Sequence, residues 1–456
     1  VNEFSVSGRR VVVVGGGRSG VAAALLVRDR GATVTLTDLR RDLPDAALLR
    51  ERGVDLELGR HEQDTFTTAD LVVVSPGVAW RLPLLEDARR HGVEVMGEVE
   101  LASRWLRGRI IAITGTKGKS TTTTLVGRML QAGGMRVAVG GNIGAALSLQ
   151  VSDSTPESLH VIEVSSFQLE ATVTFHPWIS ALLNFSPDHL DRHASIREYA
   201  EAKQRVFALQ DMRDWTVVNA DDGAAVELAS ASRARRAWFG IENRPAEGVT
   251  ADDEAVCYVC GSAREPLVPR ASIRLVGRHL LADVAAAAAI ARLAGVSPSA
   301  MAGAVEGFTG LEHAMEVVGE HRGVRFVNDS KATNVESARR SIESFGEGLV
   351  PIIGGRFKGG DLADLREPLR NRARAVVAIG EARSLVREAL GGLFEVSEAG
   401  SMREAVGRAF ELARPRGVVL LAPACASFDM FTDYAERGRV FKSEVERLLG
   451  AGEQES

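Results

Sequence analysis

Residues 110–120, IIAITGTKGKS, constrain this chain more than any other segment. An apolar, β-branched run stops at Gly115, a second glycine follows at Gly118, and Lys119-Ser120 then opens a threonine-rich helical stretch. A strand that ends in a glycine turn and feeds directly into a helix is a parallel α/β unit. The turn and the first helical turn point their N–H groups at whatever anion sits there. Gly115, Thr116, Lys117, Gly118, Lys119, Ser120 and Thr121 therefore read as a triphosphate cradle. Lys119 supplies a point charge, and the Ser120 hydroxyl reaches for Mg²⁺. Ile113 occupies the first glycine position of the common G-x-x-x-x-G-K-[ST] pattern, and the glycine comes at Gly115 instead.

The same alternation runs through the rest of the chain. Strands are expected at 10–14, 33–37 and 71–74, then at 109–113, 136–139, 160–164 and 179–184, and finally at 325–328, 350–354, 375–379 and 417–422, with helices between. Residues 238–276 read as antiparallel strands at the edge of the central sheet. The charged amphipathic stretch at 97–109 reads as a boundary. At 456 residues and about 150 per domain, the expectation is three consecutive α/β domains: 1–97, 98–309 and 310–456.

Composition narrows the class. A formal net charge of −5 argues against nucleic-acid binding. Three cysteines cannot staple a chain of this size, which favours a reducing compartment. No apolar run is long enough to span a membrane, and the first residues lack the apolar stretch of a secretory signal. The expectation is a soluble, cytoplasmic monomer that touches neither nucleic acid nor membrane.

Further candidates lie at strand ends, where open α/β sheets bind ligands. Gly15, Gly17 and Gly20 form G-x-G-x-x-G with Asp38 ending the next strand, which reads as a seat for a nucleotide diphosphate or as a structural tight turn. Glu163 follows an apolar run and is placed to hold Mg²⁺. Asp188, His189, Asp191 and His193 are possible ligands in NFSPDHLDRH. Lys203, in REYAEAKQRVF, reads from its helical context as a surface lysine. Cys257 and Cys260, a single C-x-x-C on an alternating strand, do not suggest zinc or redox chemistry. The segments NDSKATN at 328–334, GGRFKGG at 354–360 and PACAS at 423–427 together suggest a binding face.

Taken together, these segments resemble the Mur ligase family across essentially the whole chain. TGTKGKST and NFSPDHLD are general to the family, while NDSKATN, GGRFKGG and PACASFD resemble its D-glutamate-adding branch. The resemblance implies an N-terminal Rossmann-like UDP-binding domain, a central P-loop ATPase-like domain and a C-terminal Rossmann-like domain. It also implies ATP-dependent amide synthesis from UDP-N-acetylmuramoyl-L-alanine and D-glutamate through an acyl phosphate. Lys119 would then neutralise the β/γ-phosphates. Ser120 and Glu163 would hold one Mg²⁺, and His189 and a carbamylated Lys203 a second. Gly17, Arg18, Ser19, Asp38, Arg40 and Gly77 match the uridine diphosphate end, and Asn142 the substrate's carboxylate end. Asp329 and Lys331 match nucleotide-contacting positions, and Thr333, Lys358, Ser427 and Tyr434 surround D-glutamate.

The chain also departs from the family pattern. Where the family reads G-x-H-N-x-x-N, this chain has Leu280 and Asp283 in place of both asparagines, and Asp283 falls where the adenine is ordinarily faced. A His-Arg pair reads His313-Ala314, and Tyr434 replaces a common Phe. The resemblance therefore implies altered ATP binding with the phosphoryl-transfer residues kept. A sister ligase taking another amino acid and a nucleotide-binding paralogue are the alternatives.

Overall fold

The computed structural model describes residues 4–189, 192–275 and 277–453, so Asp191 lies outside the described residues. Three sheets organise the chain. The first has five parallel strands in the order Asp55–Leu58, Thr33–Asp38, Arg10–Val14, Leu71–Val74, Glu94–Gly97. Its centre is apolar on both faces because helices cover both. Val11, Val13, Leu71 and Val73 enter one core, and Val12, Val14, Val72 and Val74 enter the other. The period-two alternation of side chains divides each valine run between two layers.

The second sheet has nine strands. Arg109–Thr114 lies between Leu159–Glu163 and Ile179–Leu182, all parallel, so the chain switches direction at the strand that carries the cradle. Glu247–Ala251, Ala255–Cys260 and Ala263–Pro269 form the expected antiparallel edge. There Cys257 is buried and Cys260 exposed. Three residues apart on a strand, their side chains leave opposite faces, as the alternation in AVCYVC suggested.

The chain divides into two compact units. One is Val1–Ile273 with His279–Gly307, which carries the first two sheets. The other is Arg274–Arg278 with Phe308–Ser456, which carries the third. The charged stretch after Gly97 lies inside the first unit. It forms the helix Glu98–Ser103, whose acids face inward. Glu98 accepts the Ser148 N–H at 2.6 Å, and Glu100 accepts from Arg104 Nε and the Val173 N–H, both at 2.8 Å. These carboxylates satisfy buried backbone donors, a role that composition alone disguises as surface charge.

The third sheet has six strands, with Val324–Asn328, Gly417–Leu421, Leu349–Gly354, Val376–Ile379 and Val396–Ala399 parallel. An antiparallel edge strand, Glu316–His321, precedes them; it was not anticipated from the sequence. Its alternation is broken by a register shift between Val317 and Gly319. No described helix is long and apolar enough to cross a membrane.

Candidate functional site

In the first unit, the strand Arg109–Thr114 turns directly into the helix Lys119–Ala132, the connection that its sequence suggests. Gly118 is the N-cap of the helix Lys119–Ala132 and has φ +81°, a left-handed conformation that a side chain resists. With glycine at the N-cap, no cap side chain stands over the start of this helix, the end that favours an anion. Asn184, from the end of the neighbouring strand, splints the loop. Its Oδ1 accepts the N–H groups of Thr116 and Lys117 at 3.0 and 2.8 Å, and its Nδ2 donates to the Lys117 carbonyl at 3.0 Å. Lys119 Nζ folds back on the carbonyls of Gly115 and Thr116 at 3.1 and 3.0 Å.

Ser120 Oγ donates to Glu163 Oε2 at 2.7 Å, and Asn142 Nδ2 donates to Glu163 Oε1 at 2.8 Å. Glu163 is 2% exposed, so its carboxylate is a buried group of this site. Among the described residues no three His, Cys, Asp or Glu side chains converge as a metal cage. A hydroxyl beside one carboxylate still fits Mg²⁺, a hard ion that takes one or two protein oxygens and completes its shell with phosphate and water.

Lys203 overturns its surface reading. It is 1% exposed, and Nζ donates to the Gly115 carbonyl at 2.8 Å while lying 4.7 Å from the centre of the Tyr199 ring. Burial holds the amine well below its ordinary range, and the nearby Lys119 cation adds to the effect. His189 faces the same tyrosine, with ring centroids 6.2 Å apart, and its backbone is left-handed at φ +54°. His193 is buried, and its Nε2 pairs with Ser166 Oγ at 3.0 Å, which gives it a packing role. Asp188 lies 3.8 Å from Lys117 Nζ.

A cleft of about 420 Å³ in the same unit gathers the residues matched to the uridine diphosphate end: Gly17, Arg18, Ser19, Asp38, Arg40 and Gly77, together with Asn142. The helix Arg18–Asp29 opens on this cleft without a side-chain cap. Gly20 is obligatory, because a Cβ there would lie 1.8 Å from the Gly15 carbonyl oxygen. Asp38 is already engaged. It accepts the Gly16 N–H at 2.6 Å and pairs twice with Arg40 at 2.8 and 3.0 Å. The hydrogen bonds from the Arg40 side chain hold its carboxyl far below the usual carboxylate range. It therefore braces the glycine turn and orients Arg40 as well as lining the cleft.

Sequence reasoning missed Gln168, which also lines the cleft. Its Oε1 accepts the Ser165 N–H at 3.0 Å in a capping box, and its buried Nε2 has no protein partner. The signal was present as Ser165 three residues before Gln168. Asp283 lies against the cradle. It is 6% exposed, a Cβ on Gly118 would come 2.2 Å from its Oδ1, and burial pushes its carboxyl well up. Leu280, at the other departed position, is buried.

In the second unit, NDSKATN, GGRFKGG and PACAS follow three adjacent parallel strands at their carboxyl ends. Asp329 is buried and accepts the Met315 N–H at 3.1 Å and the Ser341 hydroxyl. Lys331 and Lys358 are exposed, Thr333 is half-buried, Ser427 is buried and Tyr434 is 40% exposed. No motif in the sequence singles out Arg437. Fully buried, it donates to Ser330 Oγ at 2.9 Å, the Ser330 carbonyl at 2.8 Å and the Cys425 carbonyl at 3.1 Å. Burial brings its guanidinium down to about 10. It ties the final helix to the NDSKATN and PACAS loops together. His313 is buried, and its Nδ1 accepts from Asn328 Nδ2 at 2.9 Å; Ala314 beside it offers no charge.

Sequence profiles match all three segments: a Mur ligase MurD-like N-terminal domain over residues 9–97, the Mur ligase middle domain over 113–291 and the Mur ligase glutamate ligase domain over 314–425. The chain is 44% identical over 456 residues to UDP-N-acetylmuramoylalanine–D-glutamate ligase of Acidobacterium capsulatum, covering 98% of each chain. It is 43% identical over 454 residues to the protein of that name in Geobacter metallireducens, covering 99% of this chain and all of that one. Among solved structures, UDP-N-acetylmuramate-alanine ligase of Thermotoga maritima shares the fold with a TM-score of 0.61 at 20% identity, over 97% of this chain and 100% of that chain. The MurF ligase of the same organism, solved with ADP, does so with a TM-score of 0.60 at 16% identity, over 97% and 96%. With profiles matched in all three segments and relatives this similar over nearly its whole length, the chain belongs to the Mur ligase family.

Proposed function

We propose that this chain is the ATP-dependent ligase that joins D-glutamate to UDP-N-acetylmuramoyl-L-alanine. One observation carries the reading. Glu163 receives Ser120 of the phosphate cradle on one oxygen and Asn142 of the sugar-diphosphate cleft on the other. The cradle and the cleft thus meet at a single carboxylate, an arrangement that would bring the end of one ligand beside the terminal phosphate of the other.

A carboxylate is a poor electrophile, and its phosphorylation supplies a leaving group. The substrate carboxylate oxygen attacks the γ-phosphorus, the bond to the bridging oxygen breaks, and ADP and an acyl phosphate result. The D-glutamate amine then attacks the acyl carbon and loses a proton, and the tetrahedral adduct expels inorganic phosphate to leave the amide. The protein's share is positioning and charge neutralisation. Lys119 and the start of the helix it opens would meet the β/γ-phosphates, and the start of the helix at Arg18 would meet the diphosphate of the sugar nucleotide.

Ser120 and Glu163 fit one Mg²⁺, which when bound neutralises phosphate charge. His189 and Lys203 are the proposed holders of a second. Burial lowers the amine's affinity for a proton, which favours its addition to CO₂ with release of a proton, leaving a carbamate that would offer oxygen ligands. In the second unit, Thr333, Lys358, Ser427 and Tyr434 are the proposed contacts of D-glutamate, and Asp329 and Lys331 the proposed nucleotide contacts. Asp283, packed on Gly118, is proposed to shape the nucleotide's seat from the first unit.

The test is phosphate release with ATP and UDP-N-acetylmuramoyl-L-alanine, comparing D-glutamate with L-glutamate, L-alanine and glycine. Release only with D-glutamate is expected. Release with another amino acid, or nucleotide binding without release under any of them, overturns the assignment.

A further inference from the structure

Phe167 sits in the short helix Ser166–Leu169, four residues after Glu163 and next to Gln168 of the cleft. Three side chains of the loop that follows the Ile179–Leu182 strand close around its ring. The His193 ring stacks on it at 5.3 Å and 20°, the His189 ring meets it edge-on at 5.0 Å, and the Arg192 guanidinium lies 4.4 Å from its centre. The same guanidinium reaches across to the first sheet's cleft loop. It donates to the Val78 carbonyl at 3.2 Å and approaches the Gly77 carbonyl at 3.5 Å. Gly77 and Val78 both line the sugar-diphosphate cleft. A second arginine bridges the same gap in the opposite direction: Arg81, four residues after Gly77, pairs with Glu198 at 2.7 Å on the helix that carries Lys203.

Resting on the function proposed above, we infer that Arg192 is a positioning residue that couples the sugar-diphosphate cleft to the metal-holding His189. A ligand filling the cleft fixes the Gly77–Val78 carbonyls. Those carbonyls fix the planar guanidinium, and the guanidinium holds the Phe167 ring that the His189 ring meets edge-on. Coupling of this kind is reciprocal: the sugar nucleotide tightens metal binding by the factor with which metal tightens the sugar nucleotide.

The test titrates Mn²⁺ into the full-length protein by electron paramagnetic resonance, in bicarbonate buffer with ADP, with and without saturating UDP-N-acetylmuramoyl-L-alanine. In the wild type the sugar nucleotide is expected to tighten Mn²⁺ binding roughly 5-fold or more. Arg192→Ala should lose that enhancement while keeping its melting temperature and its ADP affinity, a pattern that a merely structural defect does not produce. Arg192→Lys keeps the charge without the planar fork, retains less than half of the enhancement, and stands in if the alanine variant does not fold. A wild type without enhancement, or an Arg192→Ala protein that keeps it, overturns the inference. If D-glutamate-dependent phosphate release persists in that case, the proposed function survives and only the coupling role falls.

Discussion

Gly118→Ala tests the geometry of the cradle most directly, because two separate penalties meet at that position. Its φ of +81° costs an alanine about 1–2 kcal/mol. The new methyl would also stand 2.2 Å from Asp283 Oδ1, so the buried carboxyl must shift in a packed site, at about 1–3 kcal/mol. The expected loss of unfolding free energy is about 2–5 kcal/mol, the sum of the two. Asp283→Ala separates the terms. In that background the contact is gone and only the backbone penalty remains, so a double-mutant cycle returns a coupling of about 1–3 kcal/mol. Equilibrium urea unfolding of the four proteins measures it, and calorimetric titration with ADP follows the cradle itself. If Gly118→Ala costs the same with and without the Asp283 carboxyl, the group does not lie against the loop and the reasoning fails.

Lys119→Ala is expected to abolish ADP formation while leaving sugar-nucleotide binding intact; undiminished turnover contradicts the cradle assignment. Lys203→Met should inactivate the enzyme yet raise its melting temperature in CO₂-free buffer, since an apolar chain replaces a buried amine. Lys203→Ala should regain part of its activity with short carboxylic acids, and a folded variant that does not respond counts against the carbamate. Glu170 provides a pH signature. Burial raises its carboxyl from 4.5 to about 7, so the folded state binds its proton more tightly and stability falls as pH rises through that window. Glu170→Gln should flatten the fall in melting temperature between pH 4.5 and 7, and an unaltered slope removes Glu170 as its source.

What was legible in the sequence was local. The glycines, Lys119 and Ser120 belong to one strand–turn–helix grammar, and Glu163 ends an apolar run, so each declared itself within about ten residues. Lys203 did not. Its helix, IREYAEAKQ, is charged along most of its length, and only its placement over Gly115, 88 residues away, buries the amine. Arg437 hid in the same way, since its partners Ser330 and Cys425 come from two distant strand ends. Glu98 and Glu100 hid their roles for the converse reason: charge usually marks a surface, but here it answers backbone N–H groups from two distant segments.

Asn184 carries a consequence for the speed of the enzyme as well as for its shape. An amide offers a donor at one end and an acceptor at the other, and here both are used on a single turn of backbone. Aspartate lacks the donor and leucine lacks both, so neither isostere can keep the turn taut. A turn held rigid before the nucleotide arrives loses little conformational freedom on binding, and encounter should lead to capture without a slow folding-in of the loop.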